Sequence, residues 1–385
     1  MNNKEGMEGK KGGLLWNILV VALILVLVII VGVAVAKHNS GSSTPDGSQN
    51  SQADSGSEDN SGIEDTQNET ETESETETET ETETESELEP VPQGDGSEMF
   101  VMFGVDSRSD KLGKGTRSDS IMLINVNHDT KQVKVVSIYR DCMLYQEGKG
   151  YKKISNAHSY GGPEFALSVI NENFDFNIES YCTVNFNAVG DLIDQVGGVE
   201  MDITEAEVKY INGYIDETNS VRGTSSAHIT EAGNYTLDGT QAVAYSRIRH
   251  TAGSDYKRTE RQRTVLFKVF EKAKAMSTKE RIKIVDELLG DVNTNYAQDE
   301  LLILMYYMSE YDITTMTAYP KVFYGGSVDG SWVEVPVTLV DMNAALHEVL
   351  LGETDYTPSA RVEEISKELR NKVSGANIDQ RDDGE

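Results

Sequence analysis

The chain has 385 residues, a length that allows two or three domains, and a formal charge of -31. Such a negative protein does not neutralise phosphates as DNA-binding proteins do, which argues against a nucleic-acid ligand. Two cysteines in 385 residues exclude a disulfide scaffold and a Cys-rich zinc module. Residues 39–98 hold 19 of the 65 acidic residues and neither lysine nor arginine, so much of the acidity belongs to one segment.

A long apolar segment without charged residues occupies positions 14–36. At about 1.5 Å per residue it matches a hydrocarbon core of about 30 Å, and it exceeds the roughly 7–15 apolar residues of a signal peptide. Because Ala34-Val35-Ala36 resembles a cleavage site, a cleaved signal peptide is the alternative. Lysines precede the segment and only Lys37 follows it closely. This bias predicts a short cytoplasmic N-terminus (1–13), one transmembrane helix and an extracellular remainder.

Residues 37–98 consist mainly of Ser, Thr, Gly, Asn and Glu. Such a segment cannot bury enough apolar surface to offset its ordering entropy, so we expect a disordered acidic linker. Its like charges repel each other and extend it, which indicates a spacer between the membrane and a folded domain. Calcium binding by the glutamates is a weaker alternative, because calcium sites need oxygens that converge in a folded loop.

From Met99 onward the pattern becomes that of a globular domain. β-rich runs predict strands at 99–106, 120–127, 132–141, 179–186, 199–203, 313–318 and 332–336. Helical patterns predict helices at 163–174, 187–198, 238–250, 258–276, 278–289, 298–309 and 338–350. The polar stretch 205–236 is expected to leave the core, and 353–385 to form a polar, disordered tail. The alternation predicts an α/β fold, an α+β sandwich with a central mixed β-sheet flanked by helices, over 99–352.

Two aspartates stand at the ends of predicted strands. Asp106 ends the first strand and Asp119 begins the next. The intervening loop would bring both carboxylates to one end of the sheet, where α/β folds place ligands. Two carboxylates with open positions suit a magnesium ion that also binds a substrate phosphate. A strand-terminal aspartate is otherwise often only a turn residue.

The arginines of this acidic domain are unevenly distributed. They follow strands or cluster late in the chain, as Arg108, Arg117, Arg140, Arg247, Arg249, Arg258, Arg261 and Arg263. Arginine suits bidentate capture of phosphate, so the cluster and the carboxylate pair indicate a pyrophosphate or phosphoryl-transfer site. On a helix, Arg247 and Arg249 would point about 200° apart, so we expect at most one to face a given site. Arg258 and Gln262 would share a face. A solvated helix face paired with glutamates is the alternative interpretation.

Cys142 and Cys182 lie in or beside predicted strands of a domain expected outside the cell, where disulfides persist. A bridge between them and two separate buried thiols are both compatible with the sequence. The six histidines lack zinc-ligand spacing, and no P-loop, nucleophile-elbow or H-E-x-x-H motif occurs.

A series of motifs resembles the LytR-CpsA-Psr family in order and spacing over most of 99–275. They are FGVDSR, TRSDSIMLINVN, VVSIYRD, KKISNAHSYGG, VGDLIDQVGGVEMDI, LDGTQAVAYSRIRH and DYKRTERQ. The resemblance implies a single-pass cell-membrane protein with an extracellular catalytic domain. It implies transfer of an anionic glycopolymer, such as teichoic acid or capsular polysaccharide, from an undecaprenyl-pyrophosphate carrier to peptidoglycan. The acceptor would be a muramic-acid hydroxyl and the new link a phosphodiester.

The resemblance also implies roles for individual residues. Asp106 and Asp119 would bind magnesium, with manganese as a substitute, and would act in catalysis with Arg140 and Arg249. The pyrophosphate would be held by Arg117, Arg140, Arg249, Arg258 and Gln262, supported by Arg247 and Asp255. The polyprenyl chain would lie in an apolar tunnel between sheet and helices. The chain departs from the family pattern at Ser155, where asparagine is common, and by one inserted residue before Asp255.

Three other functions are compatible with these sequence features. A lipid pyrophosphate phosphatase would use water in place of the acceptor, and a carrier-lipid binder would tether polymers without catalysis. An envelope regulator is the third. A cytoplasmic part of about 13 residues cannot hold a DNA-binding domain, which disfavours direct control of transcription. The sequence does not identify the general base, since a metal-bound Asp106 or Asp119 is a poor base.

Overall fold

The computed structural model describes residues 96–107, 112–251, 254–288, 292–296 and 307–382. The expected transmembrane helix at 14–36, the acidic linker up to residue 95, Arg108 and most of the expected helix 298–309 lie outside these residues. Within the described ranges, no helix combines the length and apolar character needed to cross a membrane.

A mixed β-sheet forms the centre of the described region. The described strands are β1 (Ser97–Val105), β2 (Ser118–Asn127), β3 (Gln132–Ile138), β4 (Met143–Gln146), β5 (Gly150–Lys153), β6 (Ser180–Asn185), β7 (Val199–Ile203), β8 (Gly233–Leu237), β9 (Asn293–Thr294), β10 (Asp312–Tyr319), β11 (Val322–Val328), β12 (Ser331–Pro336) and β13 (Asn377–Asp382). The central sheet has the order β10-β3-β2-β1-β6-β9. β1 runs antiparallel to β2 and parallel to β6, which confirms the predicted mixed sheet.

Helices pack on both faces of this sheet. In the described residues they are α1 (Ser155–Phe174), α2 (Phe186–Gln195), α3 (Glu205–Arg222), α4 (Gly239–Ser246), α5 (Ser254–Ala275), α6 (Thr278–Leu288), α7 (Leu339–Leu351) and α8 (Ala360–Val373). Successive strand residues point to opposite faces, so Phe100 and Met102 join one core while Val101 and Phe103 join the other. The first core packs against α2, α4 and α5, and the second against α1, α7 and α8.

The pairing of β1 with β2 places the two predicted carboxylates near each other. Gly104 pairs with Ser120 and Val105 with Ser118, with a register shift between the two pairs. Asp106 follows directly after β1, and Asp119 is the second residue of β2. Both aspartates therefore lie at the same end of the sheet, as the sequence predicts.

Helix α1 begins eight residues before the predicted start at Pro163. Gly162 interrupts it with φ 83° and ψ -171°, a conformation that side-chain-bearing residues rarely adopt. Pro163 then opens the second half of the helix, in keeping with its fixed φ at a first helical position. The first half carries Ser155 and Ser159 to the end of the sheet where Asp106 lies.

Two predictions about polar segments are wrong. The stretch 205–236 is no excursion, because it forms α3, which buries Ile211 and Ile215, and β8, which pairs with β7. A reciprocal capping box between Thr204 and Glu207 starts the helix. Ile211 and Ile215 are four residues apart, so they form one buried apolar stripe on a helix of otherwise largely polar composition.

The expected disordered tail at 353–385 is also wrong for residues 360–382. Helix α8 buries Val362, Ile365 and Leu369, and β13 adds to the edge of β11 in a small sheet of order β12-β11-β13. Ser359 caps the helix by accepting a hydrogen bond from the Val362 amide. The three apolar residues lie on one helical face, and this stripe is what docks the segment.

The two cysteines are free, so the bridge considered between Cys142 and Cys182 is absent. Both side chains are fully buried, but they belong to cores on opposite faces of the central sheet. The alternative of two separate buried thiols is the one the structure contains.

Candidate active site

A polar cavity of about 680 Å³ opens at the sheet end that carries Asp106 and Asp119. It brings together eight of the predicted site residues: Asp106, Arg117, Asp119, Arg140, Arg247, Arg249, Arg258 and Gln262. These side chains come from distant parts of the chain, namely the β1–β2 connection, the end of β3, the segment after α4, and α5. The remaining predicted residue, Asp255, lies behind this lining.

Asp119 connects three of the arginines. Arg140 Nη1 donates a hydrogen bond to Asp119 Oδ1, and Arg249 Nη2 donates to Oδ2 at 3.1 Å. Arg258 Nη1 lies 3.9 Å from the same Oδ2. Five arginines and two aspartates line the cavity, so its lining carries an excess of positive charge that suits a multiply charged anion.

Arg258 is buried, with 2% of its side chain exposed, yet not all its donors are used. Nη2 bonds Asp255 Oδ2 at 2.8 Å, whereas Nε and Nη1 have no hydrogen-bond partner among the described residues. Gln262, one turn along α5, likewise has an unpartnered buried Oε1 there. Unmet polar groups are costly in the interior, so these atoms at the cavity wall point to a polar ligand.

Asp255 orients arginines from behind the cavity. It contacts Arg258 Nη2 at 2.8 Å and Arg249 Nε at 3.5 Å. Burial raises its pKa to about 6, although the charge of Arg249 acts in the opposite direction. The inserted residue before Asp255 therefore does not displace it from the arginines.

The expectation that only one of Arg247 and Arg249 faces the site is wrong, because both line the cavity. Helix α4 ends at Ser246, so Arg247 is its C-cap and Arg249 lies beyond it, where helical angles no longer apply. Arg247 bonds Glu217 at 3.1 Å. Its guanidinium also lies over the rings of Phe186 and Tyr214, at 5.2 and 5.5 Å.

The two aspartates match the donor set that magnesium takes in phosphate sites, one or two carboxylates with the remaining positions left to water and substrate. Asp106 is exposed and makes no ion pair with any described residue. Asp119 lines the same cavity but is held by arginines. In the part of the chain that the structure describes, no group of three or more His, Cys, Asp or Glu side chains is placed to hold a metal ion.

Comparison with known proteins agrees with this architecture. The model of the LytR_cpsA_psr family matches residues 61–338, well over half of the chain. The chain belongs to this family. A relative in Bacillus subtilis (strain 168), the polyisoprenyl-teichoic acid–peptidoglycan teichoic acid transferase TagT, is 30% identical over 205 residues, which cover 52% of this chain and 60% of TagT.

Solved structures show the same fold. Protein gbs0355 from Streptococcus agalactiae is 23% identical, with a TM-score of 0.56, over 69% of this chain and 91% of that one. A structure of TagT bound to LIIa-WTA is 22% identical, with a TM-score of 0.50, over 72% of this chain and 91% of that one. The strand and helix arrangement described above is thus that of the LytR-CpsA-Psr family.

An apolar cleft of about 80 Å³ adjoins the polar cavity in this LytR-CpsA-Psr fold. The cleft and the cavity share two lining residues, Phe186 and Gln262. The cleft walls come from β1, β2 and β6 on one side and from Val265, Leu266 and Val269 of α5 on the other. The cleft thus lies between the sheet and a helix, where the family resemblance implies an apolar tunnel for the polyprenyl chain.

Sequence reasoning missed several cavity residues. The rings of Phe186 and Tyr214 lie against the guanidinium of Arg247. Tyr214 belongs to the stretch 205–236, which the sequence predicts to leave the core. Arg261, in contrast, is not part of the cavity lining. It is buried in a pair with Glu207 at 2.8 Å and donates to the Ile248 carbonyl, so it belongs neither to the cavity nor to the solvated helix face considered as the alternative.

Proposed function

We propose that this protein is a membrane-anchored phosphotransferase of cell-envelope assembly. It moves an anionic glycopolymer from an undecaprenyl-pyrophosphate carrier to a muramic-acid hydroxyl of peptidoglycan, and it is held in the cell membrane by residues 14–36. The observation that carries the proposal is the junction of an arginine-lined cavity with an apolar cleft at Phe186 and Gln262. A polyprenyl pyrophosphate has these same two parts, an anionic head and an apolar chain.

The relatives support the class of substrate. TagT is named for transferring teichoic acid from a polyisoprenyl carrier to peptidoglycan, and a TagT structure holds LIIa-WTA. The present chain spans about 60% of the length of TagT. Transfer of an anionic glycopolymer by this chain is therefore proposed from the relatives and the cavity together.

In the proposed reaction, the acceptor hydroxyl oxygen attacks the sugar-side phosphorus of the pyrophosphate. A new phosphorus–oxygen bond forms, the bond to the bridging oxygen breaks, and undecaprenyl phosphate leaves with the electron pair. The hydroxyl proton passes to water or to the released phosphate, so atoms and charge balance. Arg140, Arg249 and Arg258 hold the phosphate oxygens and offset their charge, so positioning and electrostatics provide most of the catalysis.

Pyrophosphate binding changes the partners of Asp119. Phosphate oxygens compete with its carboxylate for Arg140 and Arg249, whose donors now hold it. As those donors turn to phosphate, the Asp119 oxygens become available to a cation. Magnesium held by Asp106 and Asp119, or manganese in its place, would further offset the negative charge of the pyrophosphate.

A transfer assay tests the proposal. The full-length protein in detergent would receive a radiolabelled lipid-pyrophosphate glycan, peptidoglycan oligomers and magnesium. Label should move to peptidoglycan, and Arg249→Ala should lower the rate by about 10–100-fold, since a hydrogen bond to a charged group contributes about 1.5–3 kcal/mol. Lys257→Ala is the matched control, because Lys257 is exposed on α5 and pairs with Glu260. Its rate should stay within about twofold of wild type.

The products distinguish the alternative functions. Free glycan phosphate without labelled peptidoglycan would identify a lipid pyrophosphate phosphatase. Bound lipid without turnover would identify a carrier-lipid binder. Loss of transfer on adding EDTA, with recovery on magnesium or manganese, is expected if Asp106 and Asp119 hold the cation.

A further inference from the structure

A second, basic pocket adjoins the polar cavity and shares Arg117 and Arg140 with it. We propose that this basic pocket binds the acceptor, a carboxylate-bearing amino-sugar unit of peptidoglycan. This inference rests on the proposed function and adds to it the place from which the attacking hydroxyl arrives. Besides the two shared arginines, the argument uses Tyr151, Lys152, Ser155 and Asp329 of the lining.

The basic pocket contains polar groups that are not satisfied within the protein. Ser155 is fully buried at the wall, and its Oγ has no hydrogen-bond partner among the described residues. Lys152 is half-buried and makes no ion pair with the residues that the structure describes. A buried hydroxyl and an unpaired ammonium suit a ligand that offers both hydroxyl and carboxylate groups, as an acidic amino sugar does.

The arrangement of the three cavities favours the acceptor over other saccharides. The apolar cleft meets the polar cavity at Phe186 and Gln262, whereas the basic pocket meets it at Arg117 and Arg140. The cleft and the basic pocket have no lining residue in common. In phosphoryl transfer the attacking and leaving oxygens lie roughly in line through phosphorus. With the lipid leaving group toward the cleft, the nucleophile enters from a different side, and the basic pocket supplies that side.

Helix α8 fixes two walls of the basic pocket. The Tyr151 hydroxyl donates to Glu368 Oε2 at 2.8 Å, and Lys372 Nζ donates to Asp329 Oδ2 at 2.9 Å. Lys372 is the ion-pair partner of Asp329, whereas Lys152 acts on this carboxylate only through its charge. The shape of the basic pocket therefore depends on side-chain contacts from α8.

Binding measurements with two separate ligands test the proposal. Full-length protein in detergent would be titrated with a soluble muropeptide, a disaccharide that carries a tripeptide, and separately with undecaprenyl pyrophosphate. Lys152→Ala should weaken muropeptide binding about tenfold, as expected for the loss of one charge-assisted hydrogen bond, and leave lipid binding within about twofold. Ser155→Ala should weaken muropeptide binding by a smaller factor. The control is Lys149→Ala, an exposed lysine that lies over the Tyr160 ring.

Other results of these titrations would contradict either the acceptor assignment or the proposed donor. Muropeptide affinity that is the same in Lys152→Ala and wild type overturns the acceptor assignment, and so does a wild type that binds no muropeptide up to millimolar concentration. If Lys152→Ala weakens a lipid-linked glycan but not the muropeptide, the pocket holds the donor glycan and the acceptor assignment is wrong. Lys152-dependent muropeptide binding without any binding of undecaprenyl pyrophosphate would support the pocket and contradict the proposed donor.

Discussion

Glu334 of β12 is a buried acid behind the arginine site, with 2% of its surface exposed. Burial and the charge of Asp141 raise its pKa to about 8, and the Tyr256 hydroxyl is hydrogen-bonded to it. Tyr256 precedes Arg258 on α5 and packs edge-on against Tyr139, with ring centroids 5.0 Å apart. A protonated Glu334 thus steadies this part of α5 without adding negative charge beside the arginines.

We predict that Glu334→Gln becomes increasingly stabilising, relative to wild type, as the pH rises. The folded-state pKa exceeds the ordinary 4.5, so the folded protein keeps a proton that the unfolded chain loses between about pH 4.5 and 8. Wild-type stability therefore falls through this window by an amount on the order of several kcal/mol. Glutamine does not titrate, and its amide has the shape of the neutral acid.

Urea unfolding of both proteins at about pH 5, 7 and 8 measures this effect. The difference in unfolding free energy should grow steadily with pH. A difference that is constant across the series would show that Glu334 is ionised in the folded state.

The junction of α2 with α4 sets the position of the arginines that follow α4. A Cβ atom on Gly239 would lie 1.9 Å from the carbonyl oxygen of Gly190, well inside van der Waals contact. We predict that Gly239→Ala costs more than about 2 kcal/mol, because backbone must shift at this contact. Thermal unfolding measures the cost, and Gly213→Ala on α3, where the added Cβ meets no atom within 4 Å, is the matched control.

Helix α8 supplies the second prediction at this scale. Ile365 is fully buried, so Ile365→Ala should destabilise the domain by about 2–5 kcal/mol. The exposed Lys367→Ala on the same helix should change the free energy of unfolding by less than about 0.5 kcal/mol. Equal stability of the two variants in chemical denaturation would contradict docking of α8 on the core.

The elements differ in how far sequence could predict them. The buried strand β1 has a continuous apolar run, and β7 (Val199–Ile203) has the predicted bounds because its apolar and polar residues alternate. Helices α3 and α8 were missed because each buries only a narrow stripe under a highly polar composition. Asp106 and Asp119 could be placed together because strand ends meet at one sheet edge. The end of α4 at Ser246, which lets both later arginines face the cavity, depends on tertiary packing.

At the scale of the whole molecule, the central sheet separates two apolar cores, each of which holds one cysteine. Burial raises the pKa of both the Cys142 and Cys182 thiols well above the usual value, which keeps them protonated and unreactive. We predict that the melting temperature is the same, within about 1 °C, with and without a reductant. A drop in melting temperature on adding reductant would reveal a bridge, and a Cys182→Ala variant that keeps the drop would locate it between molecules.

The family match ends at residue 338, whereas α8 lies at Ala360–Val373. Glu368 and Lys372 of α8 bond to residues that line the basic pocket, and no α8 residue lines the polar cavity. On the proposed function, substitutions in α8 would change which cell-wall fragment is accepted and leave the binding of the lipid carrier unchanged. On that basis, one unchanged site for the carrier is compatible with different wall acceptors, because the two are held by different elements of the fold.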